Sequence, residues 1–270
     1  MASTVGAVVL LGWMDEAEAI SYLRNHCWFD PPLTIPQAKA LWDEYHQKVI
    51  ALPERRNIPA PTTAAIPGAH QSLVRNFLSR HRGPEVTGVI NVDPKGLVVY
   101  QLYVVTERAD AHALDATSWP EKTLVIDRPA TQMPIRQEDD ALKINLPHAE
   151  HMVGVQPDGA FRFLQGGGFV SVVSVASRML LKAGYHRSFA FSRAVMNEPE
   201  AKDRCELAAV TVSLPPPLMP TFPHQGLRTT VLGSRPPLFA DFFDVDLAMS
   251  VRLRKKRWEA HIKIVAVDDV

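Results

Sequence analysis

PHAEHMVGVQPDGAFRFLQGGGFVSVVSVASRMLLKAGY, residues 147–185, is the stretch on which the fold turns, because it runs a turn, a strand, a glycine loop and a long apolar segment in succession. Gln156-Pro157-Asp158-Gly159 has the chemistry of a β-turn: the proline ring presets φ, and glycine accepts the positive φ that follows. It predicts a hairpin between residues 152–155 and 160–164. The second arm enters Gly166-Gly167-Gly168, and residues 169–182 follow as an apolar run broken by Ser171, Ser174, Ser177 and Arg178. Valines at 170, 172, 173 and 175 favour a strand, since branching at Cβ stiffens a side chain against the preceding helical turn. The length of the run and the serine at every third position favour a helix. A helix over 169–182 is the reading adopted, with Lys182 in its last turn and Gly184 just past its end.

A strand that passes through glycines into a helix leaves the first helical N–H groups, and the positive end of the peptide dipoles, facing the loop. That arrangement suits a phosphate or carboxylate. Gly166, Gly167, Gly168 and Ser171 are therefore the candidate ligand-binding residues. The loop matches neither G-x-x-x-x-G-K-[ST] nor G-x-G-x-x-G, and close approach of two backbones explains three glycines equally well.

Working outward, Asp15 and Glu18 have capping-box spacing and predict a short helix to about Asn25. Thr34 and Gln37 repeat the box with Pro36 in the first turn, and Ala38, Leu41, Trp42, Tyr45, Val49 and Ile50 then fall at helical spacing. Four prolines in residues 53–67 read as an extended connector. A helix is expected over 69–82. Strands over 86–92 and 97–106 flank Asp93-Pro94-Lys95-Gly96 as a hairpin, the second strand apolar on both faces and hence central. Further strands are expected at 123–127, 186–195 and 206–214, with a surface loop over 128–140. Prolines 215–217, 220 and 223 support no regular structure. The chain closes on two strands, 244–253 and 258–267, around the basic tip Arg254-Lys255-Lys256-Arg257.

Composition narrows the function classes. The 270 residues carry 29 Lys plus Arg against 29 Asp plus Glu, so no global field draws in nucleic acid or an anionic membrane. Cys27 and Cys205, the two cysteines, belong to no Cys-x-x-Cys motif, and the chain reads as cytoplasmic. The apolar run 5–13 is too short to span a bilayer and lacks preceding basic residues, so it reads as a first strand or buried segment.

Among candidate site residues, His148-Ala149-Glu150-His151 is the most metal-like group: imidazoles three apart can share one face of a turn, and Glu150 can act as base or oxygen ligand. A third ligand would come from His186 or Asp244. Chance proximity among ten histidines is the plain alternative. Asp241, Asp244 and Asp246 form the densest acidic group; on a strand Asp244 and Asp246 would share one face and hold a cation, or simply be solvated. Arg252 and the basic tip beside Trp258 combine charge with an aromatic plane, as single-stranded nucleic acid requires; overall neutrality argues against it. G-x-S-x-G is absent, and His26 and Cys27, adjacent in sequence, would point to opposite faces of a strand.

The expected architecture is α+β: a helical N-terminal region (1–52), a proline-rich connector (53–67), and a core (68–270) built as a largely antiparallel sheet of hairpins with the 169–182 helix packed on it. The expected function is a small-molecule enzyme or binding protein whose anionic ligand sits at the glycine turn, with His148, Glu150, His151 and His186 as acid–base groups. The alternative is a non-catalytic interaction protein that contacts a protein or nucleic acid through its proline-rich loops and basic hairpin. Neither a cofactor nor a particular metal is indicated.

Overall fold

In a computed structural model of the chain, the described residues are 4–55, 58, 63–64, 86–110, 135–138, 141–146, 151–155, 161–165, 170–175, 178–197, 207–212, 231–254 and 258–263. In chain order they form β1 (Thr4–Val9), α1 (Glu16–Asn25), α2 (Ile35–Ala51), β2 (Thr63–Ala64), β3 (Val86–Val92), β4 (Tyr103–Val105) and α3 (Thr106–Asp110). Next come β5 (Ile135–Glu138), β6 (Ala141–Leu146), β7 (His151–Val155), β8 (Phe161–Gln165), β9 (Ser171–Val175) and β10 (Arg178–Ala183). The last elements are α4 (Tyr185–Asn197), β11 (Leu207–Val212), β12 (Met249–Arg254) and β13 (Trp258–Lys263). The fold is mixed α+β, with helices at the N-terminus and antiparallel sheet later. No helix among the described residues is long and apolar enough to cross a membrane.

The chain divides into two compact units, Met1–Ile126 with Phe169–Arg254, and Asp127–Gly168 with Lys255–Val270. In the first, β1 is the middle strand of an antiparallel sheet ordered β12-β1-β4. Ala7 and Val9 point into the core at the period of two that a strand imposes. A 3-10 turn over Leu11–Trp13, wholly buried, then delivers the chain to α1. Asp15 accepts the Glu18 N–H at 2.8 Å, and Ala19 and Leu23, four apart, face inward. The Thr34 box is complete: Gln37 N–H donates to Thr34 Oγ1 (3.4 Å) and Thr34 N–H to Gln37 Oε1 (2.9 Å). Such a cap contributes about 1 kcal/mol to its helix. Ala38, Trp42 and Val49 form the buried face of α2.

The other sheet of this unit is ordered β10-β9-β11-β3-β2, antiparallel except where β9 runs parallel to β11. The helix expected over 169–182 is not there. β9 and β10 occupy that stretch as a hairpin, Val175 opposite Arg178 and Val173 opposite Leu180. Ser171, Val173 and Val175 are buried on one face of β9 and Val172 on the other, where Ser174 is exposed. With one exposed residue in the strand the alternation is almost lost, so its apolar run mimics a buried helix, and the β-branched residues were the better guide.

The strand expected over 186–195 is likewise helix α4. Tyr185, Phe189, Ser192 and Val195 share its buried side. Gly184, with φ +90°, makes the corner from β10 into α4 and approaches Val170 so closely that an added Cβ would stand 2.8 Å from the Val170 Cα. Only glycine meets both demands without strain.

Residues 86–92 and 97–106 do not form the expected hairpin. β3 pairs with β11 and β2, whereas β4 is an edge strand against β1, in the other sheet. The Tyr185 hydroxyl contributes to the break: it accepts the N–H groups of Tyr100 (3.1 Å) and Gln101 (3.2 Å) and donates to the Leu181 carbonyl (2.7 Å). Buried among these partners, its phenol is held well above the ordinary tyrosine range. Leu97, Val98, Leu180, Leu181 and Phe239 are fully buried in the core.

In the second unit, β7 and β8 pair antiparallel, as the Gln156–Gly159 turn chemistry anticipates, from His151 opposite Gln165 to Val155 opposite Phe161. Its other sheet is ordered β13-β6-β5. β5 falls within the expected surface loop 128–140. The two closing strands also part company: β12 pairs with β1 and β13 with β6, in different sheets. The expected helix 69–82, strand 123–127, prolines 215–223 and tip residues Lys255–Arg257 lie outside the described residues.

Candidate functional site

A concave feature lies in the first unit, where the Leu11–Trp13 turn meets α2 and the segment before the 3-10 turn Phe239–Phe243. Gly12, Trp13, Met14, Trp42, His46 and Val49 line a cavity of about 450 Å³, with Asp15, Glu16, Gly233, Ser234 and Arg235 around it. Its geometry is pinned by hydrogen bonds between segments far apart in sequence. Trp13 Nε1–H donates to the Arg235 carbonyl, and Trp42 Nε1–H to the Met14 carbonyl, each at 2.9 Å. Arg235 Nε–H donates to the Leu52 carbonyl at 2.7 Å.

His46 is fixed on two sides. Its ring stacks on Trp42, centroids 4.5 Å apart and 17° from parallel, and Nδ1 lies 2.8 Å from the Gly12 carbonyl. A carbonyl only accepts, so Nδ1 carries the proton and Nε2 of the neutral ring is the basic nitrogen. Gly12 makes the contact feasible: an added Cβ would stand 2.7 Å from the Tyr45 carbonyl carbon and 2.8 Å from Val49 Cγ2.

Charge around the cavity is mostly paired. Lys39 Nζ is 2.6 Å from Glu16 and lies 5.3 Å from the Trp42 ring centre. Arg55, whose guanidinium carbon lies 6.0 Å from the Trp13 ring centre, forms a two-pronged pair with buried Asp241. Arg235 differs: Nε is engaged, and among the described residues its terminal nitrogens meet no acceptor.

The sequence-derived candidates fall elsewhere. Ser171 is buried at the start of β9, opposite Ala183 and beside Val210, so it cannot cap a helix end there. His186 is half-buried in the first turn of α4, in the first unit. His151 begins β7, in the second. His148, Glu150, Gly166, Gly167 and Gly168 lie outside the described residues. The helix that would have given the glycine loop its positive end is replaced by β9, which removes the physical basis of that anion site. Asp244 and Asp246 are exposed in the turns before β12 rather than on one face of a strand, and Asp241 is committed to Arg55. Among the described residues no three His, Cys, Asp or Glu side chains gather to hold a metal.

Cys27 is 1% exposed, and burial pushes its thiol up to about 12, against a smaller opposing pull from Arg254. The folded value lies above the unfolded one near 9, so this group's contribution to stability is whole below about pH 9 and is lost as pH rises toward 12. At pH 8 we expect alkylation of native Cys27 by iodoacetamide to be at least roughly 1,000-fold slower than in urea, three units of pKa corresponding to that thiolate ratio. Peptide mass spectrometry after timed quenching separates it from Cys205. Comparable rates in the two states would contradict the burial.

Fold and site together define a mixed α+β protein with a tryptophan-walled cavity in its larger unit. The chain matches no protein-family profile, no curated protein sequence and no solved structure. Sequence reasoning had placed Trp42 on the buried stripe of α2 but passed over His46, four residues on and one turn away. That spacing was the available signal; Trp13 and Arg235 had none.

Proposed function

We propose that the protein binds a small molecule in the Trp13–Trp42–His46 cavity, with His46 Nε2 as the group that exchanges a proton with the ligand. The observation that carries this reading is the pairing of an apolar, hydrogen-bond-pinned cleft with unspent polar capacity. Trp13, Trp42, His46 and Arg235 are each tied down by a long-range hydrogen bond, while His46 Nε2 and the terminal nitrogens of Arg235 have none among the described residues. A volume of about 450 Å³ falls within the usual range for small-molecule pockets. The acid–base chemistry expected of histidine is thereby assigned to a residue outside the 147–186 stretch.

The test is a mixed fragment library followed through the indole N–H signals of ¹⁵N-tryptophan-labelled protein, each signal assigned by Trp→Phe replacement. Fragments are expected to move the Trp13 and Trp42 signals and leave Trp28, which does not line the cavity, in place. A library that binds but moves neither of the two signals would place the site elsewhere.

A further inference from the structure

We propose that the ligand of this cavity is an apolar monoanion, its carbon body set against Trp13, Met14, Trp42 and Val49 and its carboxylate held by Arg235; this rests on the binding reading above. The walls argue for the body. Trp13, Trp42, Met14 and Val49 present carbon surface, and both indole N–H groups are already spent on protein carbonyls, so a hydroxyl-rich body would lose water contacts without regaining them. A carbon body instead gains buried apolar area against such walls.

Arg235 argues for the charge. Its Nε bond to the Leu52 carbonyl fixes the guanidinium plane and leaves the two terminal nitrogens for the two oxygens of a carboxylate, a match that lysine cannot provide. The neighbouring charges do not cancel it. Glu16 is neutralised by Lys39 and Asp241 by Arg55. Asp15 is exposed and has one oxygen committed to the Glu18 N–H, so water screens it more than it screens half-buried Arg235. One such cation suits one negative charge. A polyphosphate would bring charges left unmatched beside Asp15.

Titration of the full chain with 2-naphthoate, 2-naphthamide and 2-naphthylmethylammonium tests this, because the three share a body and differ in charge. The readouts are the Trp13 and Trp42 indole signals and the dissociation constants. We expect 2-naphthoate to bind about tenfold tighter than the amide, and the ammonium probe weakest of the three. Arg235→Met is expected to remove the preference by weakening naphthoate alone, and Arg235→Lys to keep part of it. Should either variant fail to fold, the comparison on the unaltered chain decides by itself. Equal affinity for naphthoate and naphthamide, or preference for the ammonium probe, would overturn the anion assignment while leaving the cavity as a binding site. Movement of neither indole signal with any probe up to millimolar concentration would overturn the cavity reading itself.

Discussion

Replacing Arg55 by alanine is expected to destabilise the protein by about 3–5 kcal/mol, because it leaves a buried carboxylate without its cation. Asp241 is 4% exposed, and Arg55 meets it with both terminal nitrogens, Nη1 to Oδ2 at 2.6 Å and Nη2 to Oδ1 at 2.9 Å. The same Oδ2 accepts the Leu238 N–H at 2.8 Å, and Nη1 also donates to the Pro236 carbonyl at 3.2 Å. This network ties the end of the helical region to the segment that carries Arg235. Urea unfolding of Arg55→Ala, Asp241→Asn and the apolar pair Arg55→Met with Asp241→Leu separates two contributions. The pair is expected to recover much of the loss, since desolvating two charges offsets most of their attraction, though Leu238 N–H would lack an acceptor. A loss below about 1 kcal/mol for Arg55→Ala would mean that the ion pair behaves as a surface one.

Gly12→Ala is expected to lower stability by about 1–3 kcal/mol and to abolish binding of the naphthoate probe. The new methyl group would press on the Tyr45 backbone carbonyl and on Val49 Cγ2, and backbone inside a helix yields less readily than the end of a flexible side chain. Relief requires the Leu11–Trp13 turn and α2 to separate. That movement would lengthen the 2.8 Å contact between His46 Nδ1 and the Gly12 carbonyl and loosen the Trp42 Nε1–H bond to Met14. Thermal unfolding and probe titration on the same sample check both effects. A variant of unchanged stability and affinity would show that the close approach of turn and helix is not required.

The errors over 169–197 share one cause. β9 buries Ser171, Val173 and Val175 on one face and Val172 on the other, so its period of two shows only at exposed Ser174. In α4, Arg187, Ser188 and Ser192 are buried as well as Phe189 and Phe191, so polarity does not track burial and the local alternation over 186–193 reads as a strand. Partner choice was equally hidden. Asp93-Pro94-Lys95-Gly96 does form a tight turn, yet β3 and β4 pair in different sheets because distant partners take the intervening N–H groups: the Met179 carbonyl that of Val98, the Pro237 carbonyl that of Val99, and the Tyr185 hydroxyl those of Tyr100 and Gln101.

The amino-acid sequence by itself determined α1, α2 and the β7–β8 pairing, since capping groups, a one-sided apolar stripe and turn residues act over a few positions and need no distant partner. Tertiary structure alone decided which apolar runs became strands and where a cavity formed. Strand pairing and enclosure depend on contacts between residues such as Trp13 and Arg235, 222 positions apart, for which a local pattern carries no record.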